Sequence, residues 1–584
     1  MPRKKKEQTG NPVTQKVKIF LNDEEIMVDP NEYIIDIAKK CGIKIPHFCM
    51  HERLERTAAC RLCIVETELR GMRVINTSCS TKPVEGMKVY THTPRLLEAR
   101  RINLELLLAN HDLNCPTCPS NLGCKLQRYS SELMIEESRF TGIKREVPVD
   151  NSSVSIVRND NRCILCGRCV RMCNDIQTVH AIDFQKRGFE TIITPALDYP
   201  MEKSACVNCG QCVIVCPTGA LSEKPGVQHV IDALNSGKML IAQTAPSIRA
   251  TLGECFGMEP GTNVTGKMVS ALKKIGFEKV FDTDLGADIT IIEEATEFVK
   301  RFKENRDLPL ITTCCPAWIK FGEQFFFDEL SHMSTCRSPQ AILASLIKTY
   351  YAEKIGKKLE DIILVDIMPC TAKKYEILRP EFVGEADFVL TTVELGKLIK
   401  QMNIDFEKLP DTEFDNPLGE STGAGVIFGR SGGVMEAALR TAADWLEAKP
   451  LDKIEYKSIR GMETMKEAKL MLAGKEVRIC VVHTLGEARK LLEQIKEGKS
   501  SYHFIEIMAC YGGCIGGGGQ PRPTNKERLL KRMEAINKED KRKKVRKSHE
   551  NPSALKIYKE YLGEFGGERA HKLLHTSYSK KPYK

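Results

Sequence analysis

Residues 163–173 read CILCGRCVRMC, and residues 206–217 repeat the pattern as CVNCGQCVIVCP. Each run has the spacing C-x2-C-x2-C-x3-C, so residues 148–224 contain an internal duplication. In paired runs of this kind, the fourth cysteine of one run binds the cluster of the other run. Two predicted 4Fe–4S clusters therefore have crossed ligand sets: Cys163, Cys166, Cys169 and Cys216 for the first, and Cys206, Cys209, Cys212 and Cys173 for the second. Zinc is the alternative, but zinc ribbons use pairs of cysteines rather than two runs of four.

The 24 cysteines of this 584-residue chain indicate a metalloprotein. In a small secreted chain such a count would favour disulfides, whereas clustered spacings in a large chain favour metal. The length corresponds to roughly three to five domains. The hydrophobic content of 42% is enough for sizeable packed cores.

The formal net charge of +10 is concentrated in the first few residues and in residues 522–547. Nucleic-acid binding is one interpretation of a basic tail; we favour a solvated helical surface or a subunit-docking face. No apolar run approaches the roughly 20 residues of a membrane span. The basic start at Met1 is followed by polar residues, so we predict no secretory signal and a cytoplasmic location.

A basic tail of residues 1–15 precedes a predicted β-grasp domain of residues 16–96. Val17 to Leu21 alternate in polarity, a turn follows, and Ile26 to Val28 return as a second strand. Tyr33 to Lys40 then have helical spacing. Strand, turn, strand, helix and a cysteine loop is the order of a β-grasp module.

The cysteine loop of this domain has the spacing C-x10-C-x2-C-x15-C at Cys49, Cys60, Cys63 and Cys79. Four thiolates in a loop-rich module suit a 2Fe–2S cluster. The spacing departs from the plant pattern C-x4-C-x2-C and resembles the amino-terminal module of respiratory complex I and related hydrogenases. Cys41 ends the preceding helix and is expected to be a packed thiol.

Residues 97–147 carry a leucine-rich helical stretch and the group H-x3-C-x2-C-x5-C at His111, Cys115, Cys118 and Cys124. A lone histidine is usually structural, but this one precedes three cysteines that lack a fourth ligand. The same segment follows the 2Fe–2S module in the families just named. We therefore expect a histidine-ligated 4Fe–4S cluster, whose net charge differs from that of a four-cysteine cluster.

From about residue 225 the chain changes to an α/β texture. Short β-branched runs recur at 239–242, 362–367, 477–482 and 504–508, with helical stretches between them. Such folds place their chemistry at the carboxyl ends of parallel strands, and two of these runs lead directly into cysteine loops. We expect a catalytic domain over residues 225–522 and a helical tail over residues 523–584.

Three loops of this domain together offer a cluster site. Residues 312–318 read TTCCPAW, residues 368–376 read MPCTAKKYE, and residues 506–521 read EIMACYGGCIGGGGQP. Each loop alone could hold a buried cysteine near a turn. The glycines of the third loop let backbone approach a bulky group closely.

These loops resemble the three signature motifs of FeFe-hydrogenases, and the similarity extends to the upstream clusters and so to almost the whole chain. The resemblance implies that Cys315, Cys370, Cys510 and Cys514 hold the 4Fe–4S half of an H-cluster. It further implies that Cys514 bridges to a two-iron half carrying carbon monoxide, cyanide and an azadithiolate. The expected fold is multidomain α+β and α/β, with a two-lobed α/β H-cluster domain.

The two-iron half has one protein thiolate, so neighbouring residues must hold it in place. By the resemblance, Lys373 donates a charged hydrogen bond to a cyanide; the alternative, less favoured even without the motif, is an ordinary surface lysine. Ala245, Pro246 and Ser247 match a second cyanide-contacting loop. The other residues expected to line the site are Pro339, Gln340, Met368, Phe428, Gly429 and Met508.

Heterolytic cleavage of H2 needs a base at iron and a proton route to solvent. Cys314 matches the family's proton-relaying cysteine, and an unperturbed thiol titrates near 8.5. Glu294 and Glu297, three apart on a predicted helix, match the rest of the relay together with Ser334. The alternative for the two carboxylates is a pair of solvated helix charges.

The remaining cysteines and the tail have simpler assignments. Cys255, Cys336 and Cys480 lack partners at ligand spacing and are expected to be packed thiols. Residues 548–552 and 571–576 resemble the small-subunit segment that wraps FeFe-hydrogenases, here fused to the large subunit.

The motifs argue against three competing functions. An electron-transfer subunit of a complex I-like dehydrogenase would lack the three late motifs. A sensory or assembly homologue typically loses Cys314 or the relay carboxylates. A nucleic-acid-binding protein with a structural cluster explains only the basic tail.

The predicted activity is reversible H2 oxidation and proton reduction by a catalytic subunit with its own iron–sulfur relay. The sequence has neither a G-x-G-x-x-G fingerprint nor a P-loop, so NAD(H) and flavin are expected on partner subunits. The amino-terminal modules resemble those of multisubunit, NAD-linked and electron-bifurcating hydrogenases that also use ferredoxin. A stand-alone ferredoxin-dependent hydrogenase is the alternative.

Overall fold

The computed structural model describes residues 15–447 and 455–581. The predicted basic tail of residues 1–15 lies outside the described residues apart from Gln15. Within the described ranges, no helix combines the length and apolar character needed to cross a membrane.

The first module is a mixed sheet with one helix packed against it. Its elements are β1 (Val17–Leu21), β2 (Glu24–Val28), α1 (Ile34–Lys40), β3 (Ile64–Leu69), β4 (Met72–Thr77) and β5 (Lys88–Tyr90). The strand order is β2-β1-β5-β3-β4, with β1 and β5 parallel. Asn22 and Asp23 have positive φ angles of 50° and 70°, as a tight hairpin turn between β1 and β2 requires. The predicted order of strand, turn, strand and helix is observed.

Two cluster-binding segments follow, built mostly of loops and short elements. The first contains α2 (Pro94–Ala109) and α3 (Lys125–Glu132). The second contains β6 (Ile156–Arg158), α4 (Arg168–Arg171), β7 (Asp183–Gln185), β8 (Ile192–Thr194), α5 (Gln211–Val215) and β9 (Leu221–Glu223). Its two halves each place a short helix after a left-handed glycine, Gly167 before α4 and Gly210 before α5. The sequence duplication is therefore also a structural one.

The large domain begins with a parallel sheet. Its first elements are α6 (Val227–Leu234), β10 (Met239–Thr244), α7 (Thr265–Ile275), β11 (Lys279–Asp282), α8 (Thr283–Glu304), β12 (Leu310–Ile311), α9 (Pro316–Phe325), α10 (Pro339–Leu346), α11 (Ala352–Lys354), β13 (Ile362–Met368), α12 (Lys373–Glu376), β14 (Phe388–Thr391) and α13 (Thr392–Gln401). Strands β11-β10-β13-β14 lie side by side, all parallel. This sheet is the centre of the first lobe.

The second lobe has a sheet of its own. The elements that complete the domain are α14 (Gly423–Val426), α15 (Gly433–Glu447), β15 (Met465–Leu472), β16 (Lys475–His483), α16 (Leu485–Lys496) and β17 (Phe504–Met508). The strand order is β12-β17-β16-β15, where β15 runs antiparallel to β16 and the other pairs are parallel. The prediction of parallel strands thus holds except at this edge, where β15 and β16 form an antiparallel hairpin.

Helix α8 joins the two lobes because successive positions of the helix face different cores. Ile291 and Phe298 belong to the second-lobe core, whereas Ile289 and Ile292 pack into the core of the first lobe. A helix of this length that is apolar on more than one face is expected to be buried. Its polar residues therefore lie in the interior of the protein.

The tail consists of α17 (Lys526–Arg542), α18 (Pro552–Ile557) and α19 (Glu568–Leu574). It is fixed to α8 through the buried Asp288 carboxylate, which accepts hydrogen bonds from Ser548 Oγ at 2.8 Å and Asn551 Nδ2 at 2.8 Å. Arg532 of α17 is buried against Glu254, 2.7 Å away. The predicted helical tail is observed, packed on the catalytic domain.

Among the cysteines expected to be packed thiols, Cys336 and Cys480 are buried and Cys255 is half-buried. The prediction for Cys41 is wrong: its side chain is exposed. Cys41 is the residue after α1, and its neighbours Lys39, Lys40 and Gly42 are exposed as well, so the helix ends at the surface.

Candidate functional site

A buried cavity of about 70 Å³ lies where the two lobes meet. It is formed by the residues that follow or end β10, β12, β13 and β17, two strands from each sheet. The lining residues are Ala245, Pro246, Thr283, Ala287, Cys314, Cys315, Pro316, Pro339, Gln340, Met368, Pro369, Cys370, Lys373, Phe428, Met508, Ala509, Cys510, Gly513, Cys514 and Gly517. The surface is almost entirely apolar apart from the sulfur atoms and Lys373.

All four expected ligands of the H-cluster cube, and the neighbouring Cys314, line this cavity. Glycines make this convergence possible. A Cβ atom on Gly513, which has a φ of +85°, would lie 2.4 Å from Ser431 N. A Cβ atom on Gly517 would lie 2.3 Å from Pro369 O. The third cysteine loop can therefore pack against the second at Gly517, and against Arg430 and Ser431 at Gly513, only because these positions carry no side chain.

Two of the residues expected to line the cavity, Ser247 and Gly429, lie behind the lining residues instead. Ser247 and Gly429 are buried next to each other, and a Cβ atom on Gly429 would lie 3.4 Å from Ser247 N. The amide of Gln520 donates both to Ser247 Oγ at 3.2 Å and to Cys514 O at 3.1 Å. Ser247 is therefore connected to the third cysteine loop through Gln520 rather than facing the cavity itself.

Lys373 is the one cation that lines the cavity among the described residues. Its Nζ donates to Ser338 Oγ at 2.9 Å and to Glu376 Oε2 at 2.5 Å. Burial opposes the charge, but the Glu376 carboxylate outweighs it, so the pKa of Lys373 lies above its usual value. The Oε1 atom of Gln340 is buried with no hydrogen-bond partner among the described residues. The cavity thus presents a fixed positive charge and a free acceptor.

Several lining residues were not predicted from the sequence. Thr283 and Ala287 reach the cavity from the first turns of α8, and Pro316 and Pro369 follow or precede a cysteine. The small side chains leave room in the cavity, and the prolines remove backbone donors from its wall. The position of α8 relative to the loops, which decides these contacts, leaves no local signal in the sequence.

Three of the predicted relay residues, Glu294, Ser334 and Glu297, are joined by hydrogen bonds beside α8. Ser334 Oγ donates to Glu297 Oε2 at 2.9 Å, and Arg301 Nη2 donates to Glu297 Oε1 at 2.6 Å. Burial and the nearby Glu297 charge raise the pKa of Glu294 to about 8, although a hydrogen bond between its carboxyl and Ser334 opposes the shift. Glu294 is therefore mostly protonated at neutral pH and can donate a proton.

Arg301 was missed although its spacing was informative. It lies four residues after Glu297, the separation at which helical side chains of opposite charge pair. Its guanidinium also donates to Met333 O at 3.2 Å and Ser331 O at 3.0 Å. It is the outermost member of the chain that the structure brings together.

Two further cavities contain the paired cysteine runs. One is lined by Cys163, Cys166, Cys169 and Cys216, and the other by Cys173, Cys206, Cys209 and Cys212. Burial raises the pKa of Cys166 to about 11 and of Cys173 to about 12. Thiols in such places ionise only beside a compensating positive charge, which a metal cluster supplies. The sulfur groups and their burial therefore fit iron–sulfur clusters.

A more open cavity is lined by His111, Cys115, Cys118 and Cys124. The Nδ1 atom of His111 is buried and has no hydrogen-bond partner among the described residues. Burial lowers the pKa of His111 to about 4, so its imidazole is neutral at physiological pH. A neutral imidazole with a free nitrogen beside three thiols fits a metal ligand.

The cysteine quartet of the first module is also brought together. Cys49, Cys60, Cys63 and Cys79 are buried, and a thiolate at Cys63 together with burial raises the pKa of Cys79. The hydrogen bond from Cys60 lowers the pKa of Cys49 to about 5 despite the opposing effect of burial. The Phe48 amide donates to Cys60 Sγ at 3.3 Å. Mutual perturbation of this strength requires sulfur atoms in close proximity.

The residues around the second cavity of the paired runs pack directly on the second and third cysteine loops of the catalytic domain. Thr371 Oγ1 donates to Asn208 O at 2.8 Å, and Gln211 Nε2 donates to Gly516 O at 3.0 Å. A Cβ atom on Gly518 would lie 2.8 Å from Cys209 O. The backbone of one cysteine run therefore touches the backbone of the third catalytic loop.

Both amino-terminal modules contact residues that line or flank the first cavity of the paired runs. Arg171 Nη2 donates to Cys49 O at 2.9 Å and to Cys166 O at 3.3 Å, so one guanidinium joins two cysteine groups. From the histidine-containing segment, Ser120 Oγ donates to Thr218 O at 3.2 Å. A Cβ atom on Gly219 would lie 2.4 Å from Cys118 Sγ. The cysteine groups thus form a line from the catalytic cavity through the two cavities of the paired runs. At its outer end this line forks, because the Cys49 group and the His111 group both lie next to the first of these cavities.

Models of known families match successive parts of the chain. They are the 2Fe-2S iron-sulfur cluster binding domain at residues 14–94, the NADH-ubiquinone oxidoreductase-G iron-sulfur binding region at 100–139, the 4Fe-4S dicluster domain at 162–220, the C-terminal domain of the iron only hydrogenase large subunit at 238–518, and the iron hydrogenase small subunit at 526–581.

The chain is similar over nearly its whole length to the NADP-reducing hydrogenase subunit HndD of Solidesulfovibrio fructosivorans. The two are 45% identical over 581 residues, covering 96% of this chain and 99% of that protein. Iron hydrogenase 1 of Clostridium pasteurianum is 37% identical over 574 residues, covering 96% and 100%. A variant of FeFe-hydrogenase HydA1 from Chlamydomonas reinhardtii matches in structure with a TM-score of 0.55 and 38% identity, covering 61% of this chain and 98% of that one.

Replacing His111 by alanine should remove one cluster and leave the others, because its free nitrogen completes a set of three thiols. We expect the purified variant to contain up to about four iron atoms fewer per chain than the wild type. Iron and acid-labile sulfide analysis with electron paramagnetic resonance would measure this loss. His229→Ala changes an exposed histidine that stacks on Phe388 and should retain all iron. Full iron content in His111→Ala would exclude His111 as a ligand.

Proposed function

The chain belongs to the iron-only hydrogenases, and we propose that it oxidises H2 and reduces protons reversibly on an H-cluster in the cavity between its lobes. The convergence of Cys315, Cys370, Cys510 and Cys514 with Cys314 in one apolar cavity carries this proposal. The H-cluster, a 4Fe–4S cube joined to a two-iron unit with carbon monoxide, cyanide and azadithiolate, would supply the metal chemistry. The four cysteines would hold the cube, with Cys514 shared between the two parts.

The cavity residues orient the bound group and limit access of water. Lys373, held by Ser338 and Glu376, provides a positive charge for an anionic ligand. Gln340 provides a buried amide, and Ala245, Pro246 and Pro339 form an apolar wall. Met368, Phe428 and Met508 complete it, with Ser247 and Gly429 supporting it from behind. A dry, preorganised cavity strengthens every charge interaction inside it.

Protons pass between the cavity and the surface through Cys314, Glu294, Ser334 and Glu297. Cys314 lies in the cavity, and Glu294 and Glu297 are linked through the Ser334 hydroxyl. Glu297 is half-buried and paired with Arg301. Because burial raises the pKa of Glu294 to about 8, this carboxyl can both receive and release a proton near neutral pH.

Electrons reach the cavity along the line of cysteine groups. We assign one 2Fe–2S cluster to Cys49, Cys60, Cys63 and Cys79, and three further 4Fe–4S clusters to the His111 group and the two crossed sets. The fork gives two separate entry points, one for each amino-terminal module. This number of entry points is greater than one electron donor requires, which favours more than one redox partner.

We propose that the chain works in the cytoplasm as one subunit of a complex that couples H2 to ferredoxin and to NAD(H) or NADP(H). The similar HndD is named a subunit of an NADP-reducing hydrogenase. This sequence has no nucleotide-binding fingerprint, so a flavin-containing partner subunit would bind the nicotinamide. A stand-alone ferredoxin-dependent hydrogenase is the second candidate, and the similar Iron hydrogenase 1 is named without reference to a larger complex.

Infrared spectra of the anaerobically purified and matured chain test the catalytic proposal. We expect bands of metal-bound carbon monoxide and cyanide, together with H2 production from reduced methyl viologen. Cys514→Ala should lose both, because it removes the thiolate shared by the two halves of the cluster. The protein before maturation serves as the control. A matured wild-type protein without these bands and without turnover would refute the proposal.

Removing single members of the proton chain should slow turnover while the H-cluster stays bound. Cys314→Ala, Glu294→Gln and Glu297→Gln should each lower the rate of H2 production by about 100-fold or more, the usual contribution of proton transfer. Their infrared bands should persist. Glu304→Gln, at the exposed end of the same helix, is the matched control and should keep wild-type turnover. Unchanged rates in Cys314→Ala would remove it from the pathway.

Affinity purification of the chain from its native host tests the complex. We expect a flavin-containing protein to co-purify and the eluate to form H2 from NADH or NADPH in the presence of reduced ferredoxin. A chain that elutes alone and reacts with ferredoxin only would favour the stand-alone enzyme.

A further inference from the structure

The fused tail reaches the proposed proton chain through an isolated β-bridge and the hydrogen bonds beside it. His575 forms an antiparallel bridge with Cys336, and the Thr576 amide donates to Thr335 O at 2.8 Å. In the other direction the Arg337 amide donates to Leu574 O at 2.8 Å. The tail is therefore hydrogen-bonded to the segment that directly follows the relay residue Ser334.

Thr335 connects the tail to Glu297. Its amide donates to Glu297 Oε2 at 3.1 Å, and its hydroxyl lies 3.3 Å from the same oxygen. The same hydroxyl lies 2.8 Å from Nδ1 of His575. A threonine hydroxyl carries one hydrogen, so it donates to Glu297 or to His575, never to both.

The other nitrogen of His575 faces a buried carboxylate. His575 Nε2 lies 2.9 Å from Glu293 Oε2. The Glu293 carboxylate also accepts from the Tyr558 hydroxyl and from the Gly566 amide at 3.0 Å. All three of these partners belong to the tail, so Glu293 and His575 form a pair that exists only when the tail is docked.

The charge of His575 decides the direction of the Thr335 hydroxyl. A neutral imidazole with its hydrogen on Nε2 bonds Glu293 and accepts at Nδ1, which takes the hydroxyl hydrogen away from Glu297. A doubly protonated imidazole donates from Nδ1 to the Thr335 oxygen, and the hydroxyl then points to Glu297. A hydrogen bond to an ionised carboxylate favours the ionised form.

The surroundings of the two titrating groups are otherwise fixed. Arg337 Nε donates to His575 O at 3.0 Å and its guanidinium pairs with Glu385 at 2.6 Å, so its charge is directed away from the imidazole ring. The buried Cys336 thiol donates to Thr290 O at 3.7 Å. The exposed ring of His571 stacks on His575 with centroids 4.7 Å apart.

Among the described residues, the other charged and titratable groups near Glu297 are Arg301, Glu294 and the Cys336 thiol, with Ser334 as the neutral group between the two carboxyls. The Arg301 ion pair and the Ser334 hydrogen bond do not involve the tail. The Thr335 hydroxyl is therefore the contact through which the tail acts on Glu297.

We propose that His575, with Glu293, is a positioning residue of the proton pathway that sets the protonation of Glu297 through the Thr335 hydroxyl. This inference rests on the proposed proton relay. When His575 gains a proton from solvent, the hydroxyl hydrogen turns to Glu297 and favours release of the Glu297 proton towards the surface. No proton needs to cross from Glu297 to the tail. The tail thus acts on the relay in addition to covering the catalytic domain.

The test follows the infrared C=O band of protonated Glu297 in the holoenzyme during a pH titration, identified by its absence in Glu297→Gln. In His575→Phe the hydroxyl is always free for Glu297. The pH midpoint at which the band disappears should therefore fall by about half to one unit. In Thr335→Val, which keeps the amide donor, adding His575→Phe should cause no further change. Thr335→Ser should restore the wild-type response to His575→Phe.

His571→Phe keeps a stacked ring on His575 and should leave the midpoint unchanged. An equal shift in His571→Phe, an unchanged midpoint in His575→Phe, or the same shift in the Thr335→Val background would each overturn the inference. The proton relay itself is judged separately by turnover of Glu297→Gln. Slow turnover there with no band shift in His575→Phe refutes the role of the tail alone, whereas a band shift with normal Glu297→Gln turnover refutes the relay.

Discussion

Burial of thiols in apolar cavities is the constraint on which the rest of this structure depends. A buried thiol resists ionisation, and burial raises the pKa of Cys370 to about 12. The thiols become stable ligands only when a multiply charged cluster shares the cavity. The free energy that holds these loops in place therefore comes largely from the clusters rather than from local helix or strand formation. This explains why segments of loops and three- to five-residue elements, such as α4 and α5, form a defined structure at all.

Neighbouring cysteine groups are also in direct backbone contact, as between Cys209 and the third catalytic loop. A side chain between Cys209 and the third catalytic loop would increase the distance for electron transfer, and Gly210 and Gly518 exclude one. At the outer end, the Arg171 guanidinium joins the Cys49 and Cys166 carbonyls and adds positive charge between two groups that carry negative charge. Positive charge there favours the reduced state of the adjacent clusters. Close packing and electrostatics thus act together at the junctions.

Local spacing predicted much of this chain because cluster ligation is a short-range property. Three cysteines of each ferredoxin-like run line one cavity and the fourth lines the other, as the spacing predicts. The strands within 239–244, 362–368, 475–483 and 504–508 were visible as apolar runs. Features set by tertiary packing left no such trace. The antiparallel edge strand β15, the exposure of Cys41 and the position of Ser247 behind the cavity wall each depend on neighbours distant in sequence. Arg301 was also missed, but it could have been predicted, since its pairing with Glu297 follows from helical spacing alone.

Helix α8 shows how one element supports several functions. Asp288, Glu293, Glu294 and Glu297 would be costly in a helix interior unless each had a distinct partner. Asp288 binds the tail after α17, at Asn551, and Glu293 binds it near its end, at His575, while Glu294 and Glu297 share the Ser334 hydroxyl. A tail that satisfies two of these carboxylates stabilises the same helix that carries the other two. Docking of the tail and the proposed proton transfer would therefore be linked through α8, in addition to any single hydrogen bond between them. Fusion of the tail to the catalytic domain keeps that link intact in every molecule, whereas a separate subunit would supply it only when bound.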